Sequence, residues 1–404
     1  MLGRREEKID IELSEKHNGK KFLLFIVLLA FGLFMIGRGL FSALTTDSGW
    51  REIEPQKTAE LNCGDEFVLM YNVGASGIAA TVEYKEIVNL YSEASMKAYQ
   101  LFTPYSSYDG IHNMSYINQH PNEEIEVDEV LYEAFELLQK YENRNLYYGP
   151  IYTYYDNLFY VSDESELVHY DPYTSEEIKT YYEEVAGFAN DSEHIHLELL
   201  GNQKVKLSVS DEYLQYAQEN GIENFVDFYW MKNAFIIDYL AETLINGGHT
   251  LGTLSSYDGF CRNLDDSETV YAFNVYDKQE NGLYEATVLQ YSGAKSIVNL
   301  RNFAVNEKED QRIYMLKNGE LRTNYVVETA IDSLISYSSE FGCAEIMLQM
   351  SPIYLTDDFK LVNVQDIYSI YCEEETIFYN EENAKFTEAY QSDLVKYELK
   401  FINE

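Results

Sequence analysis

The apolar segment near the N-terminus constrains this chain more than any other feature. Residues Phe22 to Gly37 carry no charge, and the apolar run continues past Arg38 to Leu44. A stretch of that length can cross a bilayer as a helix, which takes roughly 20 residues. The basic residues of the leader 1–21 predict that the N-terminus is cytoplasmic and that the rest of the chain is extracytoplasmic. A cleaved signal peptide is the competing interpretation, but the leader is long and no small-residue cleavage site follows, so we expect an uncleaved anchor at 22–44.

The charge of the chain excludes one class of partner. The 404 residues include 69 Asp and Glu against 29 Lys and Arg, a formal net charge of -40. Such a chain repels nucleic-acid phosphates, so we exclude a nucleic-acid-binding protein. Apolar residues make up 46% of the sequence, which is enough for a packed core.

The four cysteines are far apart and form no CxxC pair, so they indicate neither a zinc site nor a disulfide framework. Two disulfide bridges remain an open alternative.

Beyond a polar linker at 45–62, strand-like and helix-like segments follow one another without an internal repeat. The sequence predicts a strand at 66–73, a helix at 78–102 and a second helix at 127–142 that Asp128 caps. This mixture, without regular strand-helix-strand alternation, predicts one α+β domain over residues 63–404.

Local signals mark further elements. Thr174 and Glu177 have capping-box spacing, and Ser210 precedes a helix that Gly221 ends. A turn at 317–319 predicts a hairpin, and a helix is predicted at 327–341, before Gly342.

Two aspartates bracket an apolar helix within residues 226–248. A buried carboxylate costs several kcal/mol unless it is paired or binds a cation. Asp238 lies at the edge of the apolar stripe, and we interpret it as a boundary residue that faces water. Asp227 begins the turn that precedes the helix.

Four segments in this order resemble the ApbE family, the FAD:protein FMN transferases. They are residues 102–118, 145–159, 226–248 and 330–339, with an additional turn at Tyr257-Asp258 between the last two. The resemblance implies an α+β, ApbE-like (T-fold-like) domain behind the transmembrane helix. It also implies a reaction in which FMN passes from FAD to a Ser or Thr of an acceptor protein, with Mg²⁺ at the diphosphate and AMP released.

The resemblance also implies the residues of the site. Those expected to contact FAD are Tyr105, Asn118, Asp227, Tyr257 and Asp258. Lys232 is expected to be catalytic. The expected magnesium ligands are Asp332, Ser336 and the main-chain carbonyl of Lys232, because Asp332 and Ser336 would share one face of a helix four residues apart.

This chain has Tyr229-Trp230 where the family has two glycines. Two alternatives to a transferase therefore stay open. One is a catalytically degenerate, ApbE-like membrane-anchored binding or scaffold protein. The other is an unrelated anchored domain whose aromatic residues contact a carbohydrate or a protein.

Overall fold

Among the residues that the structure describes, the largest element of the fold is a mixed, nine-stranded β-sheet. The computed structural model describes residues 46–56, 63–160, 166, 169–172, 174–279, 282–300, 305–307, 313–317, 320–323, 334–354, 361–373, 375–387 and 396–402. Within these residues the main sheet has the strand order β1-β2-β6-β7-β10-β14-β15-β16-β18. Its neighbouring strands are antiparallel, except for the parallel pair β16 and β18. Three smaller sheets have the orders β11-β12-β13, β17-β9-β8 and β3-β5-β4.

The strands are β1 (Gly49–Ile53), β2 (Phe67–Val73), β3 (Glu124–Glu126), β4 (Ile195–Gly201), β5 (Lys204–Val209), β6 (Gly252–Ser256), β7 (Phe260–Asn263), β8 (Val270–Gln279), β9 (Gly282–Ser292), β10 (Lys295–Asn299), β11 (Val305–Glu307), β12 (Ile313–Lys317), β13 (Glu320–Thr323), β14 (Leu334–Ser338), β15 (Tyr368–Glu373), β16 (Thr376–Tyr379), β17 (Lys385–Phe386) and β18 (Glu398–Phe401).

The helices are α1 (Ala80–Phe102), α2 (Met114–Gln119), α3 (Glu129–Lys140), α4 (Gly149–Tyr160), α5 (Glu176–Asn190), α6 (Asp211–Asn220), α7 (Lys232–Asn246) and α8 (Cys343–Tyr354). Single 3-10 turns cover Gly64–Glu66, Asn145–Tyr148 and Tyr229–Met231. Helix α7 contacts α1, α8 and strands β6 and β7, while α1 also packs on β1 and β2 and α8 on β7, β10 and β14. The chain thus has the α+β architecture that its sequence predicts.

Several local predictions are confirmed. Asp128 caps α3, and its side chain accepts a hydrogen bond from the amide of Val130. Ser210 caps α6 by accepting from the amide of Tyr213, and Gly221 ends that helix at φ 67°, in the left-handed region that favours glycine. Strands β12 and β13 pair with Lys317 opposite Glu320, as expected for the predicted hairpin, whose turn residues 318–319 lie outside the described part.

The helix predicted at 327–341 is wrong over 334–338, which form strand β14. Every residue of this strand is buried, because β14 lies inside the sheet between β10 and β15. A strand covered on both faces has no alternation of apolar and polar residues, so periodicity cannot distinguish it from a buried helix. A helix begins only at Cys343, after Gly342. Residues 326–333, and Asp332 with them, lie outside the described residues.

Two boundaries also differ from the prediction. Ser175, not Thr174, caps α5, and its hydroxyl accepts from the amide of Ile178. Residues 49–53, within the segment predicted to be linker, form β1 and pair with β2. The folded part therefore begins before the predicted boundary at residue 63.

The membrane anchor stays a prediction. None of the helices among the described residues is both long and apolar enough to span a bilayer. The leader 1–21 and the segment 22–44 lie outside those residues. Cys63, Cys261, Cys343 and Cys372 are all free thiols, so the structure does not form the two bridges that the sequence left open.

Asp238 does not face water as the sequence suggested. Its carboxylate accepts hydrogen bonds from the backbone amides of Cys343 and Ala344, each at 2.9 Å, at the N-terminus of α8. It also forms an ion pair with Arg262 of β7, at 2.6 Å. A methyl group at Gly342 would lie 2.4 Å from the Asp238 carboxylate, so only glycine fits there. This cluster, the Asp238 junction, joins α7, β7 and α8.

We predict that Asp238→Ala lowers the free energy of unfolding by about 3–5 kcal/mol, because it leaves the largely buried Arg262 guanidinium and two helix amides without their carboxylate. Glu242→Gln is the matched control, since Glu242 contacts the same guanidinium from an exposed position and should cost less than about 1 kcal/mol. Urea unfolding followed by circular dichroism measures both. Equal losses in the two variants would contradict a central role for Asp238.

Candidate functional site

A pocket of about 470 Å³ lies where the C-terminus of α1, the start of α7 and the β6–β7 turn meet. Segments far apart in the sequence supply its walls. Its lining residues are Cys63, Glu66, Tyr99, Phe102, Thr103, Pro104, Tyr105, Asp227, Tyr229, Trp230, Lys232, Asn233, Ile236 and Asp258. Tyr105, Asp227, Lys232 and Asp258, four of the predicted site residues, are among them.

Asp227 is the most deeply buried acid of the pocket, with 4% of its surface exposed. One carboxylate oxygen accepts from the amide of Tyr229 at 2.8 Å. The other lies 3.3 Å from the side-chain amide of Asn224 and 3.4 Å from the hydroxyl of Tyr105, both of which donate. Burial raises the pKa of Asp227 to about 6, although these hydrogen bonds and nearby Lys232 favour the charged form.

Asn118 supports this acid from behind the pocket. Its side chain accepts from the amide of Val226 and donates to the carbonyl of the same residue, both at 2.9 Å. A second donated bond, of 2.7 Å, reaches Asn224. Asn118 is buried and does not line the pocket, so it positions the strand-like segment that carries Asp227.

Tyr229 and Trp230 narrow the pocket without closing it. Tyr229 has φ 40°, which is uncommon for a bulky residue and easy for glycine. Its ring stacks on Tyr152, with centroids 4.4 Å apart and planes 18° apart. Tyr152 is a buried residue of α4, so this stacking holds the Tyr229 ring against that helix.

Lys232, the first residue of α7, does not stand alone. Its ammonium lies 2.9 Å and 3.0 Å from the two carboxylate oxygens of Glu66. The sequence carries no local signal for Glu66 as a site residue, because 166 residues separate the two partners.

Asn233 and Asp258 form a second polar pair on the wall. The Asn233 side-chain amide donates to Asp258 at 3.0 Å. Burial raises the pKa of Asp258, while hydrogen bonds from Ser256 and Asn233 act against it. Within the described part of the chain, the remaining side-chain oxygen of each residue has no hydrogen-bond partner. Buried acceptors left unpaired cost about 1–3 kcal/mol each, so this wall favours a ligand that donates hydrogen bonds.

Two further predicted residues lie elsewhere. Tyr257 is 74% exposed at the tip of the β6–β7 turn and does not line the pocket. Ser336 is fully buried in β14, where its hydroxyl lies 2.8 Å from that of Ser369. The helical spacing on which the Asp332 and Ser336 metal pair depended is therefore wrong at Ser336. Asp332 lies outside the described residues.

The predicted magnesium set does not fit what the structure describes. Over the described ranges, no group of three or more Asp, Glu, His or Cys side chains is arranged to hold a metal ion. Ser336 already bonds to Ser369, and Lys232 begins α7, where its carbonyl is positioned to accept the first bonds of the helix.

Comparison with known proteins gives structural matches only. No protein-family model matches the chain, and no curated protein matches it. The solved structures similar to it include the ApbE protein of Thermotoga maritima, with a TM-score of 0.47 and 11% identity over 76% of this chain and 86% of that chain. A mutant of the flavin transferase ApbE of Vibrio cholerae matches with a TM-score of 0.44 and 11% identity, covering 80% of this chain and 92% of that one.

The flavinyl transferase ApbE of Pseudomonas stutzeri, in its apo form, matches with a TM-score of 0.44 and 10% identity, over 81% of this chain and 91% of that chain. Similarity at this level does not establish membership of a family. The function of the pocket has to be argued from its own residues.

The raised pKa of Asp227 predicts a pH-dependent stability. Since the folded-state pKa of about 6 exceeds the ordinary 3.8, the unfolded state loses its proton first, so stability falls as pH rises from about 4 to 6 and the loss is complete above that. This difference corresponds to about 3 kcal/mol. Asp227→Asn should therefore gain about that much over the unmodified protein between pH 4 and pH 7, measured by urea unfolding. Asp109→Asn, at an exposed position of the same loop as Tyr105, should track the unmodified protein, and parallel curves for all three proteins would refute the prediction.

Proposed function

We propose that this pocket binds a flavin nucleotide and that the chain is an FAD:protein FMN transferase, anchored in the cell membrane with its domain outside. One observation carries the proposal. Tyr105, Asp227, Lys232 and Asp258 come from three separated segments of the sequence, and all four line one pocket. The resemblance of the sequence assigns the same four residues to one site.

The walls of the pocket suit a planar aromatic ligand. Its lining includes the aromatic rings of Phe102, Tyr105 and Trp230, and Asn233 and Asp258 each present an oxygen that has no hydrogen-bond partner within the described part of the chain. An isoalloxazine ring has large apolar faces and an N–H donor on its edge, and it would satisfy both kinds of wall.

The backbone at Tyr229 also supports the resemblance. The family has a glycine at this position, and Tyr229 keeps a backbone conformation that glycine adopts readily. A tyrosine backbone held at φ 40° costs of order 1–3 kcal/mol of conformational free energy. The stacking with Tyr152 and the hydrogen bond from the Tyr229 amide to Asp227 offset that cost. A glycine could adopt this backbone conformation at Tyr229 without strain, which is consistent with the resemblance.

The proposed reaction forms a bond between the hydroxyl oxygen of an acceptor Ser or Thr and the phosphorus of the FMN half of FAD. The bond from that phosphorus to the AMP half breaks, and AMP leaves with the bridging oxygen. The hydroxyl proton passes to one of the three pocket carboxylates, Glu66, Asp227 or Asp258. Lys232 stabilises the negative charge on the phosphate. A bound Mg²⁺ would neutralise diphosphate charge, but the described residues do not supply its predicted ligands.

A second candidate is binding without transfer. Its supporting observation is that Ser336, one of the expected metal ligands, is buried and bonded to Ser369. A flavin-binding protein without transfer needs the pocket but not the metal.

The fluorescence emission of Trp230 can report flavin binding. The sequence has two tryptophans, so in a Trp50→Phe background the emission reports on the pocket alone. We expect FAD to quench that emission, and Asp258→Ala to weaken binding about tenfold because a hydrogen-bond partner is lost. Asp109→Asn in the same background should leave the affinity unchanged. A flat titration at high FAD concentration would refute the flavin proposal.

Transfer is tested separately. The full-length chain in detergent is incubated with FAD, Mg²⁺ and membranes from the same cells, and covalent flavin fluorescence is read on denaturing gels while AMP is quantified. We expect labelled acceptor and AMP in equal amounts, both reduced about 100-fold in Lys232→Ala because the phosphate loses its cation. Flavin binding without label or AMP would favour the binding-only candidate.

A further inference from the structure

We propose that Glu66 is an internal competitor for the phosphate groups of the ligand: its carboxylate occupies Lys232, and an anionic ligand has to displace it. This proposal deepens the proposed function and rests on it. It gives a role to a residue that the sequence resemblance does not include.

Glu66 contacts Lys232 directly, through both of its carboxylate oxygens. Both carboxylate oxygens of Glu66 lie within 3.0 Å of the Lys232 ammonium. Glu66 ends the 3-10 turn that leads into β2, and Lys232 begins α7. Both residues line the pocket, so the ion pair lies on the path of a bound ligand and not behind it.

Lys232 is the only basic side chain among the described residues that line the pocket. The other charged lining residues are Asp227 and Asp258. With Glu66 on Lys232, the pocket offers two further carboxylates and no uncompensated cation to a diphosphate. An anionic ligand therefore binds only if it replaces Glu66 as the ion-pair partner of the Lys232 ammonium.

The side chain of Glu66 can move while its backbone stays. The Glu66 amide donates to Cys63 at 3.0 Å, and its carbonyl accepts from Tyr257 at 3.3 Å, which fixes the main chain to the β6–β7 turn. The side chains of Glu66 and Lys232 are 37% and 30% exposed, so water can solvate the carboxylate once it is released. Ion pairs at such exposure are weak, which makes the exchange inexpensive.

Displacement of Glu66 also raises the negative charge that faces the ligand. Glu66 is close enough to Asp258 to add to the effects that raise the Asp258 pKa, so a carboxylate freed from Lys232 repels both Asp258 and the phosphates.

The test compares FAD with riboflavin, which has the same ring and no phosphate. Full-length protein in detergent with EDTA is titrated with each, with Trp230 emission in the Trp50→Phe background as the readout. Glu66→Gln should bind FAD about fivefold more tightly, the equivalent of an exposed ion pair, and riboflavin with unchanged affinity. Glu345→Gln is the matched control, because Glu345 pairs with Lys140 away from the pocket. An equal change for both ligands, no change, or weaker FAD binding overturns the proposal.

A second probe separates this proposal from the flavin proposal. If neither protein binds a flavin, the proposed function fails, and inorganic pyrophosphate is used instead. Its protection of Lys232 from acylation, followed by mass spectrometry of the peptide, should need about fivefold less pyrophosphate in Glu66→Gln. Identical protection curves, or no protection in either protein, would show that Glu66 does not compete with phosphate.

Discussion

The Asp238 junction is the interaction on which the arrangement of this molecule depends. The Asp238 carboxylate on α7 accepts hydrogen bonds from two backbone amides at the start of α8. It also forms an ion pair with the guanidinium of Arg262 on β7. A helix N-terminus carries partial positive charge, so the carboxylate neutralises two positive groups at once. Gly342 lets α8 come this close, because any larger residue would collide with the carboxylate.

Helix α7, which holds Asp238, also supplies residues that line the pocket. Lys232 and Asn233 lie in the first turn of α7, six and five residues before Asp238. The junction fixes α7 against the sheet, and the β6–β7 turn brings Asp258 to Asn233. The polar wall and the Asp238 junction therefore share one helix, which also packs on α1, β6 and β7. This division agrees with the general pattern in which a rigid scaffold positions binding residues that come from loops and element ends.

Several features that cost free energy in the folded state lie together in the pocket. Asp227 is buried with a raised pKa, Tyr229 has a positive φ, and oxygens of Asn233 and Asp258 are unpaired within the described part. Each of these costs free energy in the folded state. Local conflicts of this kind concentrate at functional sites, and their concentration in one pocket is a physical reason to assign a function to it.

The sequence by itself determined the elements with strong local signals, such as the helix that Asp128 caps and the one that ends at Gly221, because caps and glycine turns act over a few residues. Its resemblance to a family also selected Tyr105, Asp227, Lys232 and Asp258. Only the tertiary structure decided that residues 334–338 form a strand, since burial on both faces removes the alternation by which strands are recognised.

Tertiary structure likewise decided the partners of the charged groups. The sequence predicts that Asp238 lies at the surface. In the structure its carboxylate accepts hydrogen bonds from a helix N-terminus 105 residues later and pairs with an arginine on a strand. Glu66 meets Lys232 across 166 residues. Local sequence contains the charge of such a residue but not the desolvation or the neighbours that give the charge its effect, because both arise only when distant segments pack together.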